Sequence, residues 1–468
     1  EDEIYLSYVS TDKEQKAKRQ SILISRIKKM FKNLKEESDV VSKNDSILTA
    51  ESTFNQMLSN IKDFKQGKEI DEIWFAVYNW YMQNDEWKPK LKEAIKGFSH
   101  KNDAEKITEE NIKRLYGNTL KTSVSRLEQY RECPFSFHLK YGLKLKEREE
   151  FVVRPIDTGS FMHEVIDEFF ENTRNIKTIE DQEIKEIVNN IIDEKLSLSK
   201  NYIFTSTPRF AVLTNILKKA ILQSITYIVQ QMKNSDFEIA GNEIEFNRKI
   251  DNVEITGKID RIDTAQNEQG KYIRIIDYKS SDRSINLNEL EAGTQIQLLT
   301  YLDTVVEKTK NIPVGMLYFN LIDPVIKASR NLTDEQIQEE LKKQFRMSGM
   351  VLADVNIIRM MDKNLQTGAS STIPVTLDKN GDIMDSRSNA ITKEQFTLLQ
   401  NKVKKIIKQI AKEILEGNIE IKPTYNKGKK EEACKYCEYK SICCFNPNVN
   451  NYSFIDNKSK KELLDNLQ

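Results

Sequence analysis

The chain has 468 residues, about three times a typical domain of ~150 residues, so its length predicts two or three structural units. Its 72 Lys and Arg residues balance 72 Asp and Glu residues, which excludes a uniformly basic surface as the means of binding nucleic acid. The sequence has neither an apolar run of the roughly 20 residues that cross a bilayer nor a signal-peptide pattern, so we expect a soluble, cytoplasmic protein.

The first part of the chain is predicted to be mainly helical. Residues 4–8 alternate as in a strand, and the first methionine is Met30, so we expect a piece of a longer protein. Apolar residues at helical spacing predict a helix over 22–31 and further helices over 51–98. A polar joint at 117–125 follows, and we place a domain boundary there.

The rest of the chain mixes helical and strand-like patterns, which is typical of an α/β fold. A helix is predicted from Arg126, where Ser125 and Glu128 have the spacing of a capping box. Two β-branched runs, 253–263 and 271–279, flank a polar turn and predict a hairpin. The other predicted elements are helices over 160–173, 180–197, 209–233, 288–308 and 394–416, a third strand over 313–321, and an irregular stretch over 362–392.

The cysteines are unevenly distributed. Cys434, Cys437 and Cys443 form a C-x2-C-x5-C pattern with Cys444 directly after it, and Cys133 lies far upstream. This spacing is unlike a disulfide framework and brings several thiolates close enough to share one metal centre, with Cys133 as the candidate fourth ligand. Four thiolates suit zinc or an iron–sulfur cluster, so the spacing leaves both open. The alternative is a group of reduced thiols without metal.

A second group of residues suggests hydrolytic chemistry. Asp277 and Lys279 are two residues apart on a predicted strand and therefore share one face. The hairpin brings Asp260 alongside, and Asp263 would serve equally well. Carboxylates and a lysine at the end of a sheet can bind a divalent cation beside a water molecule, as in metal-assisted phosphodiester hydrolysis. The ordinary alternative is a solvent-exposed salt bridge.

Several segments around these residues resemble the successive motifs of the RecB-family nucleases of the PD-(D/E)XK fold. The segments are 257–263 (Gly-Lys-Ile-Asp-Arg-Ile-Asp), 276–280 (Ile-Asp-Tyr-Lys-Ser) and 295–301 (Gln-Ile-Gln-Leu-Leu-Thr-Tyr), preceded by 125–135 and by 158–163 (Thr-Gly-Ser-Phe-Met-His). The resemblance covers about 118–446. It implies an α/β, RecB-like nuclease fold with an iron–sulfur staple, preceded by a mainly helical remnant of a helicase-like region.

The family's metal ligands can be carried over residue by residue. The resemblance implies that Mg2+ or Mn2+ is held by His163, Asp260, Asp277 and the main-chain carbonyl of Tyr278. For His163 the alternative is an ordinary boundary position on an amphipathic helix.

The resemblance also implies further catalytic roles. Lys279 would be the catalytic lysine and Glu243 the motif acid, although Glu245 remains an alternative because the motif is short. Gln297 and Tyr301, four residues apart on one helical face, would line the site and contact the substrate backbone.

For the cysteines, the same resemblance implies a [4Fe–4S] cluster on Cys133, Cys434, Cys437 and Cys443. Cys444 remains an alternative to Cys443, and zinc remains an alternative metal. Because one ligand precedes the nuclease motifs and three follow them, the cluster would be a structural staple that joins the two ends of the domain. Electron transfer is the alternative role.

The resemblance implies three regions: the end of a helicase-like region and a helical linker (1–117), the nuclease domain with its cluster (118–446) and a C-terminal tail (447–468). The chain has no G-x-x-x-x-G-K-[ST] loop, so it cannot hydrolyse ATP by that mechanism. The implied function is that of a Mg2+-dependent deoxyribonuclease subunit, an exonuclease in a helicase–nuclease complex that processes double-strand breaks for recombinational repair. Its implied partners are DNA, both single strands and duplex ends, and an AddA-type helicase–nuclease subunit in a heterodimer.

The competing hypothesis is a non-catalytic, iron–sulfur-stapled module that binds DNA ends. Degenerate nuclease sites usually lose an acid or the lysine, whereas His163, Asp260, Asp277 and Lys279 are all present, which favours the nuclease. Residues 401–430 contain nine lysines and three glutamates. They would either follow a phosphate backbone or form a solvated helix face.

Overall fold

A computed structural model divides the chain into two compact units, residues 1–100 and 101–468. The structure describes residues 4–9, 20–31, 34, 36, 47–65, 69–98, 102–148, 150–321, 323–324, 326 and 333–465. The division between residues 100 and 101 falls before the polar joint at 117–125, where the sequence predicted the domain boundary. The three regions 1–117, 118–446 and 447–468 therefore stay a prediction. Among the described residues, no helix is both long and apolar enough to span a membrane.

The regular elements described in the first unit are helices. They are α1 (Ile22–Met30), α2 (Ala50–Lys65), α3 (Ile73–Gln83) and α4 (Lys88–Phe98). Helices α2, α3 and α4 pack around a small core of Met57, Trp74, Tyr81 and Leu91. These helices confirm the predicted ones, although residues 32–33 and 66–68 lie outside the described residues.

The strand predicted over 4–8 is wrong. Residues 4–9 are exposed and belong to no strand, because an alternating segment needs a neighbouring strand for its hydrogen bonds. The rest of the predicted region 1–33 is described only at 20–31.

The second unit is α/β. Its helices are α5 (Glu109–Tyr116), α6 (Val124–Glu132), α7 (Pro134–Phe137), α8 (Pro155–Asn172), α9 (Asp181–Ser197), α10 (Pro208–Lys233), α11 (Leu287–Ala292), α12 (Gln297–Thr309), α13 (Asp334–Gln344), α14 (Val355–Met361), α15 (Lys393–Leu415), α16 (Lys440–Cys443) and α17 (Lys460–Asp465). Its strands are β1 (Leu120–Thr122), β2 (Glu238–Ile250), β3 (Val253–Asn267), β4 (Gly270–Lys279), β5 (Ile312–Asn320), β6 (Ser348–Leu352), β7 (Gly368–Ala369), β8 (Thr376–Leu377), β9 (Ala390–Ile391), β10 (Thr424–Asn426), β11 (Glu431–Glu432) and β12 (Ser453–Ile455).

A seven-stranded sheet is the centre of this unit. Its order is β1-β3-β4-β5-β6-β9, and β2 pairs with β3 as well. The antiparallel pairing of β3 with β4 confirms the predicted hairpin, with a turn that runs only from Asn267 to Gly270. Strand β5, the predicted third strand, lies parallel to β4.

Strand β4 lies in the middle of the sheet between β3 and β5 and is buried along almost its whole length, and α12 packs on β4 and β5. Asp277, near its end, is only 1% exposed. Asp277 and Lys279 do form an ion pair, at 2.6 Å, but not a solvated rim, since a carboxylate this deeply buried must be matched by specific partners.

Two predicted helices differ from the structure. Helix α6 begins at Val124 with Ser123 as its N-cap, so the capping box predicted for Ser125 and Glu128 is wrong. The helix predicted over 288–308 is two helices, because Gly293 adopts a left-handed φ of 84° that ends α11. Glycine enters this conformation at little cost, and it commonly terminates helices.

The described part of the predicted C-terminal tail packs into the second unit. Strand β12 lies parallel to β10, and Leu463 and Leu464 of α17 belong to the large hydrophobic core. The chain therefore returns to the body of the second unit after the last cysteine.

Candidate functional site

Three potential metal ligands meet where α8 crosses the long hairpin of β2 and β3. In that hairpin Asn242 pairs with Arg261 and Ile244 with Ile259, so Glu243 lies opposite Asp260. Helix α8 brings His163 to the same place, with Nδ1 3.6 Å from Asp260 Oδ2 and 3.8 Å from Glu243 Oε1. One ligand atom from each of the three lies within 4.8 Å of the others.

The ring of His163 is oriented by the end of β4. Its Nε2 donates to the main-chain carbonyl of Tyr278 at 3.1 Å, which leaves Nδ1 facing the two carboxylates. Metal-ligating histidines commonly donate their other ring N–H to a carbonyl in this way. The two carboxylates are oxygen donors that suit Mg2+ or Mn2+, and the imidazole adds a softer nitrogen donor.

Charges in this group perturb one another strongly. Burial, reinforced by the nearby charge of Asp277, raises the pKa of Asp260 to about 7. Burial opposes the protonation of His163, but Glu243, Asp260 and Asp277 together raise its pKa above the usual value. Burial also acts against ionisation of Glu243, yet hydrogen bonds with His163 and Lys258 lower its pKa. A divalent cation would relieve the repulsion among these carboxylates.

Beside the three ligands, a chain of polar contacts holds the predicted catalytic lysine. Lys279 Nζ lies 2.6 Å from Asp277 Oδ2 and donates to Gln297 Oε1 at 2.9 Å. The amide nitrogen of Gln297 donates in turn to the hydroxyl of Tyr301 at 3.0 Å. Asp277, predicted as a metal ligand, thus forms an ion pair with Lys279. Asp260 contacts β4, because its Oδ2 accepts a hydrogen bond from Tyr278 N at 2.7 Å.

The structure distinguishes between the alternative acids. Asp263 is fully buried between two arginines: Arg261 Nε lies 2.6 Å from Oδ1, and Arg274 Nη2 lies 2.8 Å from Oδ2. It therefore cannot replace Asp260, and that alternative was wrong. Glu245 is exposed, whereas Glu243 faces His163, because the positive φ of Glu243, 48°, interrupts the regular alternation of β2.

Two residues of the site were not predicted. Lys258 Nζ lies 2.6 Å from Glu243 Oε2, and its position two residues before Asp260 on β3 was the available signal, since residues two apart share a face. Glu128 accepts hydrogen bonds from the main-chain N–H groups of Ile296 and Gln297 at 2.6 and 2.9 Å. Nothing in the local sequence indicates a contact across about 170 residues.

The cysteines lie at a separate place in the second unit. Cys133, at the end of α6, and Cys434, Cys437 and Cys443 line a common cavity of about 430 Å³. Burial, and then the neighbouring Cys133, raise the pKa of the Cys434 thiol to about 12. One cavity thus gathers four sulfur donors, and such a donor set fits a thiolate-bound metal or cluster. Cys444 is exposed at the left-handed end of α16, while Cys443 is buried.

Two protein-family models match parts of this chain. Residues 121–444 match the model of the PD-(D/E)XK nuclease superfamily, and residues 42–97 match that of the fifth domain of the ATP-dependent helicase/deoxyribonuclease AddB.

Proteins named as the B subunit of an ATP-dependent helicase/deoxyribonuclease are similar over nearly the whole chain. That of Clostridium acetobutylicum is 38% identical over 98% of this chain and 42% of its own length. Those of Clostridium novyi and Thermoanaerobacter sp. (strain X514) are 37% and 36% identical over 99% of this chain and 43% and 42% of their own lengths. The chain thus spans less than half the length of these relatives.

These matches confirm the predicted resemblance and make it more specific. One cysteine before the nuclease motifs and three after them is the arrangement that resembles AddB, the B subunit of the bacterial helicase/deoxyribonuclease. The predicted α/β, PD-(D/E)XK nuclease fold is confirmed as well, since the matching nuclease model covers the strands of the central sheet apart from Leu120 of β1. The iron–sulfur staple stays a prediction. Because that model covers well over half of the chain, this chain belongs to the PD-(D/E)XK nuclease superfamily.

Proposed function

We propose that this chain is the Mg2+-dependent DNA nuclease part of a helicase–nuclease subunit, and that it hydrolyses phosphodiesters of one unwound strand. The observation that carries the proposal is the convergence of two groups at the end of β4. His163, Glu243 and Asp260 supply clustered ligand atoms, and Lys279 is held beside them by Asp277 and Gln297.

In this proposal His163, Glu243 and Asp260 hold Mg2+ or Mn2+, with Asp277 and the Tyr278 carbonyl as the further predicted ligands. The ion would polarise the scissile phosphate and lower the pKa of water, which is the chemistry that divalent metals supply to such sites. The chain itself holds the ligands in place, because Asp260 accepts from Tyr278 N and His163 donates to the carbonyl of the same residue.

Lys279 is the proposed catalytic lysine. An ammonium has three N–H donors, and the contacts with Asp277 and Gln297 use two of them. We expect the third to reach a phosphate oxygen or the attacking water and to stabilise the negative charge that develops in the transition state. Tyr301 fixes the Gln297 amide, so that its oxygen faces the lysine.

We also propose a [4Fe–4S] cluster on Cys133, Cys434, Cys437 and Cys443. Their shared cavity and the exposed position of Cys444 support this ligand set. A structural role is favoured because Cys133 and the other three are separated by about 300 residues, so the cluster would join distant parts of the chain. Zinc on the same thiolates is distinguished by iron and sulfide analysis.

The proposed setting is a cytoplasmic heterodimer with an AddA-type helicase–nuclease subunit that processes double-strand breaks for recombinational repair. The relatives are named as one subunit of an ATP-dependent helicase/deoxyribonuclease, which supports a partner subunit and a DNA substrate. These 468 residues contain no phosphate-binding loop, so in this proposal the motor lies outside them and delivers single-stranded DNA to the site.

The test is cleavage of end-labelled DNA by the full-length protein with its partner, with Mg2+ and with chelator. We expect Mg2+-dependent cleavage that needs no ATP on single strands, prefers single strands to duplex, ignores base sequence and weakens steeply with salt. The Asp277→Ala complex should unwind DNA but leave one strand uncut. Binding to DNA ends without any Mg2+-dependent cleavage would instead support the non-catalytic module.

A further inference from the structure

Glu128 connects the helix that ends at Cys133 with the first turn of α12, which carries Gln297. It lies on α6, a helix of nine residues whose C-cap is Cys133, one of the proposed cluster ligands. Its carboxylate does not contact its own helix terminus but a distant one, because Oε1 accepts from Ile296 N at 2.6 Å and from Gln297 N at 2.9 Å.

Those two N–H groups belong to the first turn of α12, where Ile296 is the N-cap residue. An apolar N-cap side chain offers no acceptor, so the first N–H groups of the helix depend on a partner from elsewhere. Glu128 provides that partner with a negative charge at the positive end of the helix, which is its favourable position.

The capped turn carries the residue that holds the catalytic lysine. The side-chain oxygen of Gln297 accepts from Lys279 Nζ, and its main-chain N–H donates to Glu128 Oε1. Burial raises the pKa of Glu128 to about 7, although both N–H donors and the positive charges of Arg283 and Lys279 oppose that shift. A buried carboxyl is retained at such a cost where its hydrogen bonds are specific.

We propose that Glu128 is a positioning residue of the nuclease site, which fixes the first turn of α12 and hence the Gln297 amide that holds Lys279. Because Cys133 ends the same helix, Glu128 also transmits the state of the cysteine site to the lysine. This inference rests on the proposed function for its catalytic consequence, but the link between α6 and α12 can be measured without any cleavage assay.

The experiment compares Glu128→Ala, Glu128→Gln, Cys133→Ser and the control Ser125→Ala in the full-length protein. Ser125 is an exposed residue of the same helix whose hydroxyl contacts only the neighbouring Ser123 hydroxyl among the contacts of the described chain. Three quantities are measured: hydrogen exchange of the amides in residues 296–299, the iron content, and kcat and KM for Mg2+-dependent cleavage of end-labelled single-stranded DNA.

In Glu128→Ala we expect the first turn of α12 to exchange at least about tenfold faster, because its N–H groups lose their acceptor. We expect kcat to fall about 10- to 100-fold, as for other residues that orient a catalytic group, while KM stays within about twofold and iron is retained. In Glu128→Gln the exchange rate and kcat should lie between those of the wild type and Glu128→Ala, since the amide oxygen still accepts a hydrogen bond. Ser125→Ala should match the wild type.

Cys133→Ser should lose iron and also speed hydrogen exchange of the amides at 296–299. In the double variant Cys133→Ser/Glu128→Ala that exchange should be little faster than in Cys133→Ser, because both substitutions act through one contact. Unchanged exchange at 296–299 and unchanged kcat in Glu128→Ala would overturn the positioning role. Unchanged exchange there in an iron-free Cys133→Ser protein would overturn the transmission. If the wild type fails to cleave DNA, the nuclease proposal fails, whereas the exchange data still decide the role of Glu128.

Discussion

Two aspartates three residues apart on β3 have opposite roles, because an odd separation in a strand places side chains on opposite faces. Asp260 faces the site and lies 13% exposed beside His163. Asp263 faces the other side, where Arg261 and Arg274 enclose it completely. One carboxylate is therefore available for a metal ion, and the other forms ion pairs with two buried guanidinium groups.

Asp260→Asn should lower Mg2+-dependent cleavage at least about 100-fold while the protein stays folded, because a proposed ligand is lost. Asp263→Asn should instead cost about 3 kcal/mol of stability, since two buried arginines lose their carboxylate, and should cleave far better than Asp260→Asn in the cold. Chemical denaturation and a cleavage assay measure the two effects. A stable, inactive Asp263→Asn protein would mean that the ligand assignment is wrong by three residues.

Metal affinity should depend on pH near neutrality. Asp260, with a pKa raised to about 7, and His163, whose pKa is also raised, both hold protons as the pH falls. A cation must displace those protons, so Mg2+ binding should weaken from pH 8 to pH 6 and release about one proton per ion near pH 7. Calorimetry in buffers of different ionisation enthalpy measures this release. The release should decrease in Asp260→Asn, where only His163 still holds a proton, and equal affinity at both pH values would contradict the assignment.

At the scale of elements, the contact between α8 and the end of β4 determines the geometry of the metal centre. Gly159 lies one turn before His163. A Cβ on Gly159 would come 3.2 Å from the Oγ of Ser280, the residue that follows Lys279. The missing side chain lets the helix approach the strand closely enough for His163 to reach the Tyr278 carbonyl. This explains the Gly-x-x-x-His spacing of the motif in physical terms.

Gly159→Val should push α8 away from Ser280, lengthen the His163–Tyr278 hydrogen bond and lower Mg2+ affinity about 10- to 100-fold. Gly159→Ala should have a smaller effect, because the Ser280 side chain can rotate away. Titration of Mn2+ by electron paramagnetic resonance measures the affinity. As the control, Gly97→Ala in α4 meets nothing within 4 Å and should add about 0.5–1 kcal/mol of stability. Wild-type affinity in Gly159→Val would refute this account.

At the scale of the second unit, the cysteine site joins the start of the domain to its end. Cys133 follows α6, whereas Cys434, Cys437 and Cys443 lie between β11 and the end of α16. The chain then continues through β12, which pairs with β10. A bound cluster would therefore restrain the two ends of the unit together, in addition to the sheet and the core.

Cys133→Ser should lose iron, lower the melting temperature and weaken DNA binding at the same time, because one ligand connects both ends of the unit. Cys444→Ser is the matched control and should keep its iron, since Cys444 is exposed. Iron analysis, calorimetry and a DNA-binding titration measure these effects. Full iron content and an unchanged melting temperature in Cys133→Ser would exclude the structural role.

The sequence by itself determined the features that depend on local spacing. The β3–β4 hairpin follows from two β-branched runs, and the shared face of Asp277 and Lys279 follows from the period of a strand. The order of the nuclease motifs also identified the superfamily. Long helices such as α10 and α15 were predicted because many periodic positions contribute to each of them.

Only the tertiary structure decided which residues meet across the fold. Local spacing suggested a capping box for Glu128, but in the structure this carboxylate caps α12 instead. Similarly, Asp260 and Asp263 are equivalent acids in the sequence, and the arginines that enclose Asp263 become visible only when β3 and β4 pair. The physical reason is that burial and hydrogen-bond partners come from distant segments, whose approach no local periodicity records.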